Sequence, residues 1–323
     1  MIKIKLSCPP EIWNFGKYFS NDNYEWGEYK FYLNQDIVEC DYWLILGDIV
    51  NDRESVVVPV NNVIFYIQEV PEVIKYREQF LNQFHYVCSY LSDVKHPNFI
   101  KSDPVFPWFI ERNYNQSANF NSLKSKKLSI ISSSKKITID HVKRLNFYKK
   151  LDKYFGNDID IFGSGFSGYV DEKKTTLDPY MFSVVVENKR IPNYFTEKLA
   201  DCFLANTFPL YHGCTNLNEF FDQGSFEPID INSFKDSVRT ITKILDNDNF
   251  YESRLGSVIK SKQKYLNNFS IVPSLVKVID KVNELEVNNS CEKEKIEIIK
   301  SKPQSIITRL KQKIIVETYD ILN

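Results

Sequence analysis

The sequence lacks three features that would point to common kinds of site: a paired-cysteine motif, a surplus of one charge and a long apolar run. Its six cysteines contain no CxxC pair, which argues against a structural zinc site. The formal net charge at pH 7 is −1, and residues 1–280 contain no basic stripe of the kind that binds duplex nucleic acid. We therefore expect neither a structural zinc ion nor a nucleic-acid partner.

Membrane-spanning and secretory patterns are also missing. No run of about 18 apolar residues occurs. The apolar stretch in the N-terminal sequence MIKIKLSCPPEIW is too short for a secretory leader. Several cysteines lie within apolar runs, which is typical of buried thiols in a reducing compartment. These observations predict a cytoplasmic protein.

What the sequence does contain is an alternation of short apolar segments and polar connections. A chain of 323 residues is long for one hydrophobic core, so two domains are expected. The segment 113–127 is rich in Asn, Ser and Lys without periodicity, and we interpret it as a linker. Before it, the pattern predicts a helix at 71–83, which begins at a proline, and strands at 2–8, 42–48, 62–69 and 84–90.

After the linker, strands and helices alternate more regularly. The pattern predicts helices at 138–155 and 196–206, and strands at 127–133, 158–163, 180–187 and 207–213. Helices of this length between strands indicate parallel βαβ units. We predict an α/β fold with two Rossmann-like domains that face each other across a cleft. The N-terminal domain is expected at 1–123 and the C-terminal domain at 124–285.

The remaining residues, 286–323, form a tail of different character, in which basic residues slightly exceed acidic ones. One interpretation is a terminal helix that packs on the body of the protein. The other is an amphipathic helix that lies on an anionic membrane. Both rest on four apolar residues that share one helical face: Ile307, Leu310, Ile314 and Ile321.

Two patterns resemble functional motifs but lack the neighbouring sequence that such motifs require. GSGFSG (163–168) has the spacing G-x-G-x-x-G, but the polar segment after it ends in a proline and opens no helix. A dinucleotide site is therefore not expected there. Asp158 and Asp160 share one face at the start of a predicted strand, and we interpret them as polar strand ends instead of magnesium ligands. No metal is expected in the site.

The most informative stretch is 184–213, where a strand ends at Glu187 and Asn188 and a helix begins after Thr196. Ligands of parallel sheets bind at the carboxyl ends of the strands. Thr196 is a good N-cap, and the exposed N–H groups, the helix dipole and Lys198 attract phosphate. Glu197 would repel phosphate but can accept hydrogen bonds from a ribose diol, so the set suits a nucleoside diphosphate. The alternative is an ordinary first helical turn with an acid near its N-terminus.

These residues belong to a longer ordered pattern across 180–226. Its members are Glu187, Asn188, Tyr194, Thr196, Glu197, Lys198, Pro209 and Gly213. The pattern closely resembles the donor-binding region of the α-1,3-fucosyltransferases, glycosyltransferase family 10, which runs roughly YKFxLxFENSxxxDYVTEK before a proline and a closing glycine. The resemblance implies that Glu187 and Asn188 line the donor pocket and that Tyr194 packs near the nucleoside.

Upstream segments extend the resemblance. Segment 127–151 resembles the R-x-x-x-Y segment of the family, with Arg144 and Tyr148 at its arginine and tyrosine, and 65–73 places Glu69 at a family glutamate. The resemblance implies that Arg144 and Lys198 hold the diphosphate and that Glu69 is the general base. A plain surface arginine and an acid that merely ends a strand remain the alternatives.

The family implies a GT-B architecture and an inverting transfer of L-fucose from GDP-fucose to a hydroxyl of a glycan, as in surface polysaccharide or lipopolysaccharide synthesis. The implied partners are the nucleotide-sugar donor and the glycan acceptor, with no further cofactor and no essential divalent metal. Such an enzyme would work in the cytoplasm, peripherally on the inner face of the membrane. Lys189 and Asn206 depart from the family pattern, which leaves another nucleotide-activated sugar open. A non-catalytic protein that binds a glycan or a nucleotide is the other alternative.

Overall fold

The structure is a computed structural model that describes residues 1–9, 14–166, 168, 170–286, 291–302 and 306–322, without the side chains of 306–312 and 322. The chain divides into two compact units. The N-terminal unit contains Met1–Pro107, Asn113–Asn115 and Asn268–Ser305, and the C-terminal unit contains Trp108–Arg112, Gln116–Asn267 and Ile306–Asn323. These bounds differ from the boundaries expected near 123 and 285. The acceptor-side and donor-side roles of the two domains stay predictions.

The described strands, in chain order, are β1 (Ile2–Ser7), β2 (Glu25–Trp26), β3 (Tyr29–Leu33), β4 (Tyr42–Leu46), β5 (Arg53–Pro59), β6 (Val63–Ile67), β7 (Tyr86–Ser89), β8 (Phe99–Lys101), β9 (Lys126–Ser132), β10 (Asp160–Gly163), β11 (Tyr180–Val186), β12 (Phe208–His212), β13 (Glu227–Pro228) and β14 (Lys293–Ile299). The α-helices are α1 (Glu78–Leu81), α2 (Tyr114–Ala118), α3 (Ile139–Phe155), α4 (Glu197–Leu204), α5 (Leu217–Phe220), α6 (Phe234–Leu245), α7 (Phe250–Lys264), α8 (Ile271–Glu286) and α9 (Ile306–Leu322). The strands and helices predicted for residues 127–213 are therefore confirmed, and their ends lie within two residues of the predicted ones.

The N-terminal unit is built on a seven-stranded sheet in the order β2-β3-β1-β4-β6-β7-β8. All neighbouring strands are parallel except β2 and β3, which are antiparallel. Every residue of β4 and of β6 is buried, as expected for central strands of a parallel sheet that is covered on both faces. Trp43, Ile45 and Phe65 lie at the centre of the resulting core.

The helix predicted at 71–83 is wrong in length, because only α1 is helical there. The preceding residues form a turn at 71–73 and have no regular structure at 74–77, and the Tyr76 ring packs edge-on against Phe65 with ring centroids 4.9 Å apart. The Tyr76 hydroxyl also donates a hydrogen bond to the Gly47 carbonyl at 2.7 Å. Packing of one aromatic residue into the core therefore overrides the helical preference of the segment.

The tail expected to be helical throughout contains a strand. β14 pairs antiparallel with β5 over seven residues, and Ile298 is fully buried in the core of the N-terminal unit. Within KEKIEII only the four residues 295–298 alternate polar and apolar side chains with the period of a strand, and this short signal is absent from the helical prediction. The tail therefore contributes to the core of the unit in which the chain begins.

The last described segment of the tail forms α9, which lies against α3 in the C-terminal unit. Val316 is buried, and Asp320 accepts a hydrogen bond from Lys136. Ile314 and Ile321, which were expected on the packing face, are 61% and 84% exposed, and the side chains of Ile307 and Leu310 lie outside the described residues. No helix in the described part of the chain is both long and apolar enough to cross a bilayer.

The C-terminal unit contains a five-stranded parallel sheet in the order β10-β9-β11-β12-β13. The chain leaves β9 toward β10 on one side and then returns to β11 on the other side. The direction of strand addition thus reverses between β9 and β11. Ligands of such sheets bind at the carboxyl ends of the strands beside this reversal, so the fold itself selects one place for a site.

Candidate active site

A cavity of about 150 Å³ opens at the reversal between β9 and β11. Its wall includes the ends of both strands, the inner side of α3 and the first turn of α4. The polar residues that line it are three serines, Ser132, Ser133 and Ser183, together with Arg144, Tyr148, Lys173, Glu197 and Lys198. Arg144, Tyr148, Glu197 and Lys198 were predicted from the sequence as donor-binding residues, and the fold brings them to one cavity.

The first turn of α4 is held in place by a buried carboxylate. Glu187, directly after β11, accepts hydrogen bonds from the Thr196 backbone N–H at 2.9 Å and from its hydroxyl at 2.6 Å. Thr196 in turn caps the helix, since its hydroxyl oxygen accepts from the Lys198 backbone N–H at 3.4 Å. Glu187 therefore lies beneath the cap and outside the cavity lining, although the sequence placed it in the pocket wall.

The charges at this helix start are tightly paired. The Lys198 ammonium donates to Glu197 Oε1 at 2.9 Å and lies 3.6 Å from Glu187 Oε2. Burial alone would raise the pKa of Glu197, but Lys198 and then Lys173 outweigh it and hold the pKa at about 2. Burial raises the pKa of Glu187 instead, and the Lys198 charge opposes that rise. Glu197 is therefore ionised at neutral pH and can accept hydrogen bonds from hydroxyl groups.

Arg144 and Tyr148 lie one turn apart on α3. The Arg144 side chain is only 4% exposed, so the interpretation as a surface arginine is wrong. Its guanidinium donates to Asn188 Oδ1, and its buried Nε has no hydrogen-bond partner among the described residues. Tyr148 is buried, and its hydroxyl donates to the Val184 carbonyl at 3.5 Å. The arrangement presents a buried cation with spare donor capacity to the cavity.

Lys173 lines the same cavity and was not identified from the sequence. It begins a short 3₁₀ helix, Lys173–Thr176, within the polar segment that was expected to open no helix. Its ammonium pairs with Asp201, whose carboxylate is buried. The adjacent lysines in the sequence DEKK were the available signal. The cavity wall thus carries three cations, Arg144, Lys173 and Lys198, against the single carboxylate of Glu197.

Two predicted residues lie elsewhere. Tyr194 is buried beside the site, and its carbonyl accepts from the Tyr211 hydroxyl at 3.4 Å, so a ring contact with a nucleoside would need local repacking. Glu69 is half-buried in the N-terminal unit, two residues after the end of β6. Its carboxylate contributes to raising the pKa of Tyr76, after burial and Asp48. The role of Glu69 as base stays a prediction.

The glycine pattern at 163–168 serves close packing. A Cβ on Gly163 would overlap the Ser132 carbonyl oxygen, and Gly163 has φ of +105°, which favours glycine. No helix begins in the described residues between 164 and 172, while Ser167 and Tyr169 lie outside them. The structure therefore supports a turn at the ends of β9 and β10, without the helix N-terminus that a dinucleotide requires.

Gly213 makes the close approach of β12 to the α4 cap possible, which leads to a stability prediction. An alanine Cβ there would lie 2.5 Å from the Tyr211 hydroxyl oxygen and would overlap Glu187 Cγ. We expect Gly213→Ala to lower the free energy of unfolding by about 1–3 kcal/mol, the usual cost of overpacking. Urea unfolding followed by circular dichroism would measure this.

Gly256 provides the matched control. It lies inside α7, and an added Cβ would meet nothing within 4 Å. Gly256→Ala should leave stability unchanged or raise it by about 0.5–1 kcal/mol. Equal stability of the two variants would contradict the tight packing inferred at Gly213.

Comparison with solved structures identifies the class of protein to which this fold belongs. The chain is similar in structure to an α1,3-fucosyltransferase with GDP-fucose (15% identity, 91% of this chain and 92% of that chain, TM-score 0.54) and to the α1,3-fucosyltransferase with GDP (16%, 90% and 91%, 0.54). It is also similar to an α-glucosyltransferase in complex with UDP and a 13-mer DNA (9%, 88% and 100%, 0.55). These likenesses confirm the predicted α/β fold as the GT-B type of glycosyltransferase. Because the last of these structures contains DNA, the comparisons do not support the expectation that this chain has no nucleic-acid partner.

The family follows from a sequence match that begins in the C-terminal unit and extends to residue 293. Residues 122–293, more than half of the chain, match the model of the C-terminal region of glycosyltransferase family 10 (fucosyltransferase). The chain belongs to this family and is a glycosyltransferase. No curated protein matches the sequence.

Proposed function

We propose that this chain transfers L-fucose from GDP-fucose to a hydroxyl group of a glycan, with inversion at the transferred carbon. The observation that carries the proposal is that two cations, Arg144 and Lys198, line one cavity beside the N-terminus of α4. This cavity lies at the strand reversal of the sheet, within the region that matches the fucosyltransferase family. Helix N-termini and fixed cations stabilise phosphate oxygens. A nucleoside diphosphate is the ligand that this combination suits best.

Residues in and around the cavity then have distinct tasks. Arg144 and Lys198 hold the diphosphate, with Asn188 orienting the guanidinium through its side-chain oxygen. Glu197, ionised and adjacent to Lys198, accepts hydrogen bonds from the ribose hydroxyls. Glu187 keeps the Thr196 cap in position, so the helix start is already organised before the donor binds. Such preorganisation avoids rearranging dipoles during the reaction.

The chemical step is a single displacement. The acceptor hydroxyl oxygen attacks C1 of fucose as the bond from C1 to the β-phosphate oxygen breaks, so that β-linked donor becomes α-linked product. The hydroxyl proton passes to a general base, for which Glu69 is our candidate, and GDP leaves with the bonding electron pair. The cations in the cavity stabilise the charge that grows on the β-phosphate. No divalent metal takes part in this proposal.

For the acceptor and the location we propose a surface polysaccharide or lipopolysaccharide glycan, made in the cytoplasm at the inner face of the membrane. Exposed Ile314 and Ile321 on α9, beside exposed Lys313, support peripheral contact with an anionic bilayer. The net charge of −1 supports the absence of a nucleic-acid partner.

The two departures from the family pattern have structural explanations that favour an unchanged donor. Asn206 replaces a glycine at φ of +55°, a conformation that asparagine tolerates better than most residues. The Lys189 ammonium lies 3.8 Å from the Asp140 carboxylate. Neither residue lines the cavity that contains Arg144 and Lys198. A different nucleotide-activated sugar therefore has no observation in its favour.

Nucleotide-dependent stabilisation tests the donor. A ligand at 100 times its Kd stabilises the folded protein by about 2.7 kcal/mol, so we expect GDP to raise the Tm by several degrees. UDP carries the same phosphates on another base and should have little effect. Protection by UDP alone would overturn the GDP-fucose assignment. Incubation with GDP-fucose and candidate glycans, followed by NMR analysis of the product linkage, would then identify the acceptor.

A further inference from the structure

We propose that Lys173 is a third phosphate-binding cation of the donor site and that Asp201 positions it. The inference rests on the proposed function, because it assumes that the nucleoside diphosphate occupies the cavity at the strand reversal. It assigns a task to the short 3₁₀ helix Lys173–Thr176, which lies outside the segments on which the donor site was predicted.

The location of Lys173 is the first observation. Its side chain lines the cavity together with Arg144 and Lys198, and it is only 17% exposed. Lys174, the next residue, is 38% exposed and forms an ion pair with Glu172 at 2.8 Å. Of two adjacent lysines, one faces the cavity and the other faces solvent. Burial of an ammonium beside two other cations is costly unless something stabilises it.

Asp201 supplies that stabilisation and is itself rigidly held. Its side chain is fully buried, and its Oδ1 accepts hydrogen bonds from the backbone N–H groups of Phe109 at 2.9 Å and Ile110 at 3.0 Å. The other oxygen, Oδ2, pairs with the Lys173 ammonium. With three donors on one carboxylate, Asp201 has little freedom to move. It therefore fixes Lys173 at the cavity wall through a contact whose carboxylate is fully buried.

Glu197 links this pair to the helix start. Asp201 and Glu197 lie one turn apart on α4, so both carboxylates face Lys173 from the same side of the helix. Burial alone would lower the pKa of Lys173, but Asp201 and then Glu197 outweigh it and raise the pKa. Lys173 therefore stays protonated at neutral pH while the cavity is empty, and its charge is available to a phosphate.

The chemistry of the transfer gives the third cation a purpose. When the C1–oxygen bond breaks, GDP carries one more negative charge than it did as a sugar ester. Lys198 faces two carboxylates, Glu187 and Glu197, and Lys173 faces Asp201 and Glu197, so the charge of each ammonium is partly offset. The added charge of the leaving group would therefore be shared by Arg144 and both lysines. Lys173 thus acts on the diphosphate and not on the base or the ribose.

Isothermal titration of the full chain with GDP and with guanosine tests this assignment. We expect Lys173→Met to weaken GDP binding about 10- to 100-fold, the range for losing a charged hydrogen bond, and to leave guanosine binding unchanged. Lys174→Met, the matched control, should leave both affinities unchanged. A purely structural role for Lys173 would weaken GDP and guanosine by the same factor, and that result would overturn the inference.

Two further variants keep the test decisive. If Lys173→Met does not fold because it leaves Asp201 buried without a cation, the double variant Lys173→Met, Asp201→Asn removes both charges and retains an acceptor oxygen for Phe109 and Ile110. The same selective loss of GDP binding is expected from it. Arg144→Met separates the two proposals. If it weakens GDP binding and the Lys173 variants do not, only the present inference is wrong; if neither does, the proposed donor site fails as well.

Discussion

Replacing Glu69 with glutamine should lower the turnover number roughly 10²–10⁴-fold, the usual contribution of a general base, and should leave GDP affinity unchanged. Glutamine keeps the size and polarity of the side chain but cannot accept the proton of the acceptor hydroxyl. Glu69 lies in the N-terminal unit, whereas the phosphate-binding residues lie in the C-terminal unit. Its loss should therefore separate catalysis from nucleotide binding. Steady-state transfer assays and GDP titration would measure the two effects.

Glu72 is the control for this substitution. It lies three residues further along the same loop and is exposed, so Glu72→Gln changes the net charge equally without removing the candidate base. We expect its turnover to stay within about twofold of the unmodified chain, as for most surface substitutions. Full activity in Glu69→Gln would remove Glu69 from the mechanism and would favour a base that the sequence did not identify.

Arg144→Met should weaken GDP binding about 10- to 150-fold, equivalent to about 1.5–3 kcal/mol for a charged hydrogen bond. Methionine fills much of the buried space, but it supplies neither the positive charge nor the N–H donors of the guanidinium group. Because Asn188 loses its donor, a small loss of stability is also expected. Binding should be measured by titration with GDP, and the fold by circular dichroism.

Lys149→Met on the solvent-facing side of α3 is the corresponding control, since that lysine is exposed. It removes the same formal charge from the same helix, so it reports any general electrostatic effect on an anionic ligand. We expect its GDP affinity to match that of the unmodified chain. Equal weakening by both variants would show that net charge, and not a specific contact, governs binding.

Much of the C-terminal unit could be predicted because its segments have clear periods. The apolar face of α3, with Val142, Leu145 and Leu151, is buried as its spacing predicts, and the α4 cap follows from Thr196 alone. Parallel strands then bring the ends of β9 and β11 together, and Arg144, Glu197 and Lys198 meet at one cavity. Local pattern and sheet topology together determine this part of the site.

The parts that were not predicted depend on contacts distant in sequence. Glu187 is beneath the cap because Thr196 lies within hydrogen-bond distance, and nothing in the ENK sequence indicates burial. Lys173 reaches the cavity because Asp201 holds its ammonium group. The two residues are too far apart in the sequence for a short motif to relate them. β14 differs from the helix predicted for the tail because its partner strand β5 lies more than two hundred residues earlier. Pairings of this kind are decided by tertiary structure.

The pairing of β14 with β5 sets an order for folding on the ribosome. At about 5–20 residues per second, Lys293 is made roughly 10–50 s after Pro59, and the complete sheet of the C-terminal unit emerges in between. Nascent β5 therefore waits without its partner strand and without Ile298, which is buried in the core of the finished unit. A premature stop between α8 and β14 would release a polypeptide with the whole sheet of the C-terminal unit, whereas its N-terminal unit would lack the partner strand of β5 and the buried Ile298 side chain.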